Sequence, residues 1–123
     1  MNGKEEKVII SLASNYDQTR QMETARAHLV NLLQDVKFTS EHWTTPIGTT
    51  RKEPYINQLC TATTQEEPLQ LIETLKALEC TMGRTHNVDG IVAIDLDLLQ
   101  YGEVRYHLKD WDREYIKDLI KEL

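Results

Sequence analysis

Two stretches of the chain place apolar residues every three or four positions, and each lies between short runs of β-branched, aromatic or leucine side chains. This alternation of periods constrains the fold more than any single motif, because helical stripes and strands must bury their apolar sides against one another. Met22, Ala25, Leu29, Leu32, Leu33 and Val36 form the first stripe and predict a helix over 18–36. Leu69, Ile72, Leu75, Leu78 and Met82 form the second, over 68–83, opened by Pro68 at a first-turn position and closed by Gly83. Strands are predicted at 8–12, 37–43, 55–63 and 92–99. Residues 14–17, Ser-Asn-Tyr-Asp, read as a turn able to cap the first helix. Residues 44–54 form a proline-bracketed loop and 83–90 a polar one. Tyr101 and Gly102 end the last strand, and 110–123 predicts a short charged helix.

The order β-α-β-β-α-β predicts an α+β fold: a ferredoxin-like antiparallel sheet with both helices on one face, plus the C-terminal helix. At 123 residues the chain is expected to form a single domain, 1–123, with a core that needs no metal or disulfide staple. Hydrophobic residues at 40% and charged residues at 28% fit a soluble globular domain and argue against disorder. Twenty acidic against 14 basic side chains give a net charge of -6, so nucleic-acid binding is not expected. Cys60 and Cys80 lack a CxxC partner or clustered histidines and are expected as ordinary thiols rather than a zinc site or a disulfide scaffold. No apolar stretch is long enough for a membrane span and none resembles a signal sequence, so a cytoplasmic monomer is expected.

The segment Val92-Ala93-Ile94-Asp95-Leu96-Asp97-Leu98-Leu99 carries the strongest chemical signal. Alternation along a strand sends Val92, Ile94, Leu96 and Leu98 to the core and puts Asp95 and Asp97 together on the opposite face, roughly 7 Å apart. Aspartate is depleted in strands, and two like charges there repel unless something neutralises them. A divalent cation bridging to substrate phosphates is the natural partner; a solvated edge-strand face is the alternative. Tyr55 and Asn57 share a strand face, where an amide and an aromatic ring can read and stack on a heterocycle, or form a surface cross-strand pair. Lys76 and Glu79 are spaced for an ordinary i, i+3 ion pair. Arg84, after Gly83, can serve the helix C-terminus.

Taken together, these segments resemble the 6-hydroxymethyl-7,8-dihydropterin pyrophosphokinase family of folate biosynthesis. The likeness runs from Val8 to about Tyr101 and rests on Ser14-Asn15, Thr45-Pro46-Ile47-Gly48, Pro54-Tyr55-Ile56-Asn57, Glu79 through Gly83-Arg84, and Ile94-Asp95-Leu96-Asp97-Leu98-Leu99 followed by Tyr101-Gly102. The resemblance implies Mg²⁺-dependent transfer of pyrophosphate from ATP to hydroxymethyldihydropterin, releasing AMP. It implies that Asp95 and Asp97 ligate two Mg²⁺ ions, catalysis resting on them and on Arg84. It implies that Ile47, Gly48, Tyr55 and Asn57 contact the pterin, with Tyr115 stacking on it. Lys76, Glu79, Arg84 and His107 then line the nucleotide side, although glutamine is usual at position 76.

The departures concern cations. The family's third loop normally carries a tryptophan lid and two further arginines, whereas residues 85–93 here are shorter and offer only His86. Ala13 replaces a usual glycine, and the family's C-terminal third gives way to a short tail. Each arginine clamping a transferring phosphoryl group is worth on the order of 10³-fold in rate. The alternative to an enzyme is therefore a non-catalytic pterin- or nucleotide-binding paralogue, and a third, blander possibility is a protein-association domain.

Overall fold

A computed structural model describes residues 4–45, 53–83 and 91–123. In chain order the elements are β1 (Glu6–Ser14), α1 (Gln18–Leu32), β2 (Gln34–Phe38), β3 (His42–Thr44), β4 (Tyr55–Thr64), α2 (Pro68–Thr81), β5 (Asp95–Tyr101), β6 (Val104–Arg105), a 3-10 turn (Leu108–Asp112) and α3 (Glu114–Ile120). The fold is α+β, with one sheet ordered β2-β4-β1-β5-β6 and β3 beside β2 along the same edge of β4. All the pairings are antiparallel.

Alternation along the three central strands splits the apolar side chains between two clusters. Val8, Ile10 and Leu12 of β1, Ile56, Cys60 and Ala62 of β4, and Leu96 and Leu98 of β5 pack with Met22, Ala25 and Leu29 of α1 and Leu71 and Leu75 of α2. Leu59 and Leu99, of the other parity, pack with Ile116 and Leu119 of α3, flanked by Ile9, Trp111 and Tyr115. The tail is thus part of the core. Cys60 is fully buried, and burial pushes its thiol up to about 12, so it is no nucleophile at neutral pH; Cys80 is exposed and unpaired.

Pro68 stands in the first turn of α2, as its fixed φ and missing N–H require. The first helix, expected to reach Val36, ends at Leu32, and Leu33 is already extended at φ -121°. The apolar spacing runs past the helix because Leu33 and Val36 enter the same cluster from the turn and from β2. The single strand expected at 37–43 is two. Between β2 and β3, Thr39 Oγ1 accepts from Leu59 N–H at 3.0 Å, and Ser40 turns away to give its N–H and hydroxyl to Glu122. The last strand begins at Asp95 rather than Val92, and Gly102, at φ +57°, turns it into β6.

The 14–17 segment is a turn, but no side chain caps α1. Asn15 instead faces the chain before β5. Its N–H donates to Val92 O at 2.9 Å, while Val92 N–H donates to Asn15 Oδ1 at 2.6 Å. This clip holds the buried segment Val92, Ala93 and Ile94 beside β1 and sets where Asp95 enters the sheet. Removing the amide strands a buried N–H, which costs about 1–3 kcal/mol. Asn15→Ala is therefore expected to lower unfolding free energy by that amount in urea melts, with faster amide exchange at Val92 and Asp95; exchange unchanged there would show that the clip does not hold β5.

Candidate functional site

On the sheet surface that carries α3, the registers line up cross-strand rows. Asp97 pairs with Ser11, and Ser11 with Leu59. Asp95 pairs with Ala13, Ala13 with Asn57, and Asn57 with His42. Two strand spacings, roughly 10 Å, therefore separate the aspartates from Asn57. Between them stand only the small side chains of Ser11 and Ala13, so the surface is low there. Tyr55 shares the face of Asn57, two positions away, opposite Thr44. The Tyr115 ring stacks on His42 at 6.2 Å between centroids and an interplanar angle of 26°, joining this end of β3 to α3.

The aspartates are not left to repel each other. Lys76, on α2, reaches around the edge of β5, where its Nζ lies 3.1 Å from Asp97 Oδ1 and 3.6 Å from Asp95 Oδ1. The same nitrogen donates to Glu79 Oε2 at 3.0 Å and to Leu96 O at 3.1 Å. Glu79 Oε2 accepts from Leu96 N–H at 2.7 Å, and the side chain is buried. The i, i+3 pair is real but does more than stabilise a helix: it takes both outward-facing polar groups of Leu96, where among the described residues no strand pairs with the outer edge of β5.

Burial dominates the titration of this group. It holds Asp97 above the usual carboxylate range, with the Asp95 charge adding to the rise and Lys76 and His107 opposing it. Burial likewise raises Glu79, against the Leu96 N–H, the Lys76 ammonium and in step with Asp95. Burial alone would lower Lys76, but Asp97 and Glu79 outweigh it and keep the ammonium above the ordinary lysine value. Burial also raises Tyr115, Arg113 opposing and the charges of Asp110, Asp95 and Asp97 reinforcing.

Of the residues singled out in the sequence, Asp95, Asp97, Lys76 and Glu79 meet at the β5 edge, with His107 Nε2 3.8 Å from Asp97 Oδ1. Tyr55 and Asn57 stand on β4, two strands away on the same face, and Tyr115 stands against His42 beside them. Ile47, Gly48 and Arg84 lie outside the described residues. Asn57 is buried and spends its amide nitrogen on β3, donating to His42 O at 3.1 Å and Thr44 Oγ1 at 2.9 Å. Trp111 gives its indole N–H to Tyr106 O and carries the Arg105 guanidinium 4.0 Å over its ring, while Arg113 bonds Asp110; these tail groups are engaged in packing. Sequence reasoning missed His42, Ser11 and Ala13. The alternation of β1 puts Ser11 and Ala13 on the polar face, but only the strand order sets them between the acids and the amide. A separate hollow at the far end of β4, lined by Gln34, Thr63, Gln65, Glu66 and Gln70 among others, contains none of these groups.

Compared with known proteins, residues 9–122 match the family described as 7,8-dihydro-6-hydroxymethylpterin-pyrophosphokinase. The chain belongs to this family. It is 28% identical over 131 residues to the "Folate synthesis bifunctional protein, mitochondrial" of Pisum sativum, covering 98% of this chain and 25% of that protein. It is 26% identical over 102 residues to the "2-amino-4-hydroxy-6-hydroxymethyldihydropteridine pyrophosphokinase" of Pseudomonas aeruginosa, covering 80% of this chain and 63% of that one. The chain thus spans a quarter and just under two-thirds of these relatives.

Among the described residues, no helix is long and apolar enough to cross a membrane. Nor do three histidine, cysteine or acidic residues there gather into a metal cage. Two aspartates on one strand are instead the hard-oxygen donor set that suits Mg²⁺ shared with phosphate oxygens, so the residues present fit an ion that brings part of its own coordination.

Glu79 is the group whose loss tests this edge. Glu79→Ala leaves the Leu96 N–H unpaired in a buried place and takes one partner from the half-exposed Lys76, and is expected to cost about 1–3 kcal/mol in urea melts. Glu79→Gln is subtler. Because the folded-state pKa is raised, the folded chain binds protons more tightly than the unfolded one. The stability this group contributes is greatest below the ordinary glutamate pKa and falls as pH rises through the raised value. The parent is therefore expected to lose stability, relative to Glu79→Gln, as pH rises from the ordinary glutamate range toward neutrality. A flat difference would show that Glu79 titrates normally.

Proposed function

We propose that this chain catalyses Mg²⁺-dependent transfer of the diphosphoryl group of ATP to the hydroxymethyl oxygen of 6-hydroxymethyl-7,8-dihydropterin. A bond forms between that oxygen and the β-phosphorus, the bond from the β-phosphorus to the AMP oxygen breaks, the hydroxyl proton departs, and AMP is released. The observation that carries this reading is the alignment of Asp95 and Asp97 on one strand face, across a floor of small residues from Asn57, in a chain of the pyrophosphokinase family. The ferredoxin-like frame, with α1 and α2 on one face, is supported by the strand order and by the cluster that both helices share.

Phosphoryl chemistry asks a protein chiefly for alignment and charge neutralisation. Asp95 and Asp97 would hold the Mg²⁺, which when bound neutralises the phosphate oxygens and orients the chain of phosphates. Asn57 Oδ1 accepts from the heterocycle edge, and Tyr55 and the Tyr115–His42 stack offer flat aromatic surface to its faces. Glu79 and Lys76 hold β5 in place, Lys76 lends positive charge on the nucleotide side, and the His107 ring stands beside Asp97 there. Arg84, Ile47 and Gly48 take the roles the family resemblance implies. The cytoplasm is the proposed setting.

A second reading, a pterin- or nucleotide-binding paralogue without transfer, draws on one observation: Lys76 Nζ already sits against both aspartates where an ion would lie. Incubation with ATP, Mg²⁺ and hydroxymethyldihydropterin separates the two. AMP formed only in the presence of the pterin is the expected result; pterin binding by calorimetry without AMP would favour the binding protein. The Asp95→Asn/Asp97→Asn variant keeps side-chain shape and leaves Lys76 paired with Glu79. It is expected to melt no lower than the parent without ligand, to lose the extra stabilisation Mg²⁺-ATP gives the parent, and to lose activity by about 10³-fold or more. A variant that still gains as much from Mg²⁺-ATP would place the metal elsewhere.

A further inference from the structure

We infer that Lys76 is a tethered counter-ion that keeps a free divalent cation off Asp95 and Asp97, so that this chain takes up metal only together with the phosphates of its nucleotide. The inference rests on the pyrophosphokinase reading and deepens it. Four contacts define the ammonium's place: Glu79 Oε2 at 3.0 Å, Leu96 O at 3.1 Å, Asp97 Oδ1 at 3.1 Å and Asp95 Oδ1 at 3.6 Å. The first two anchor it. Glu79 is buried and itself bonded to Leu96 N–H, so although the lysine side chain is half-exposed its nitrogen is tethered at the strand edge by a fixed partner. The last two put its charge within reach of both carboxylates, the position from which a metal ion would have to neutralise them.

A divalent ion approaching these oxygens meets a positive charge at about 3–4 Å, and at that separation on a half-exposed edge solvent screens the repulsion only in part. An ion bare of phosphate gains two carboxylates already neutralised in part and, among the described residues, no third histidine, cysteine or acidic side chain gathered with them. An ion that arrives bound to a polyphosphate meets a different balance. The phosphate charge favours the ammonium instead of being repelled by it, and its oxygens complete the coordination the protein leaves short. Lys76 thus discriminates between free and nucleotide-bound metal by charge alone, without closing a lid.

The test is a calorimetric titration with Mn²⁺ alone, no nucleotide, on the folded full chain. The parent is expected to bind Mn²⁺ weakly. Lys76→Met, which keeps the aliphatic stem and removes the charge, is expected to bind it at least tenfold more tightly, and Lys76→Arg to behave as the parent. Asp97→Asn in the Lys76→Met background is expected to abolish the gain. Should Lys76→Met fail to fold, Lys76→Gln, whose amide still donates to Glu79 or Leu96 O, makes the same comparison. Equal affinity in parent and charge-removed variant, or no binding by either, overturns the inference. A separate arm keeps its failure apart from that of the function: the parent titrated with Mn²⁺ and a non-hydrolysable ATP analogue. Loss of binding in that arm counts against the pyrophosphokinase reading, whereas tight binding there together with equal Mn²⁺-alone affinities removes only the role of Lys76.

Discussion

The outward-facing backbone of Leu96 is where the sheet and the site depend on each other. At that point β5 is an edge strand, and an edge strand with free N–H and C=O groups invites the wrong partner. Here Glu79 takes the N–H and Lys76 takes the carbonyl, both from α2. One pair of side chains therefore docks α2 along β5, blunts the edge and supplies a cation to Asp95 and Asp97. A burial that would be costly for a lone carboxylate is tolerable because Glu79 has two donors. The raised titration of Glu79 and Asp97 is the residue of that cost, and it marks this group as a place where charge is held against burial.

Much of this arrangement was legible in the sequence. Periodicity found both major helices and the principal strands, because the apolar stripes of α1 and α2 and the alternation in β1, β4 and β5 are each long enough to be unambiguous. Boundaries were less legible where two elements feed one core. Leu33 and Val36 extend the helical spacing of α1 although neither belongs to the helix, since the cluster does not distinguish a side chain delivered by a strand from one delivered by a helix. The break between β2 and β3 depends on Thr39 and Ser40 finding partners in Leu59 and Glu122, contacts between residues far apart in the chain. No local pattern announces them.

The site divides in the same way. That Asp95 and Asp97 share a face follows from alternation alone, and the need for a counter-charge follows from their proximity. Which cation answers that need does not. Lys76 and Glu79 satisfy the helical i, i+3 rule locally, so nothing in the sequence demands a further partner; the reach to Asp97 exists only because α2 lies along β5. Asn57 shows the converse. Its side chain was expected to offer donor and acceptor together, but its amide nitrogen is taken by His42 O and Thr44 Oγ1, which pins the short β3 to β4. A buried polar group this well used is part of the frame before it is part of a pocket.

The C-terminal tail decides how much of the second sheet surface is site and how much is core. Leu59, at the β4 end of its row, and Leu99, at the register shift in β5, pack under Ile116 and Leu119, and Glu122 secures the end of that segment by accepting the N–H and hydroxyl of Ser40, contacts that hold its carboxyl below the usual range. The next row along, Asp95–Ala13–Asn57–His42, is polar or small at every position and so cannot be buried by the same helix without stranding charge. The Tyr115–His42 stack falls on the boundary. Tyr115 belongs by its packing to the apolar cluster and by its electrostatics to the aspartates, whose charges help raise its phenol. A single sheet face thereby changes character along its rows as well as between them: Leu59 lies under α3 while Asp97, two strands away in the same row, meets Lys76.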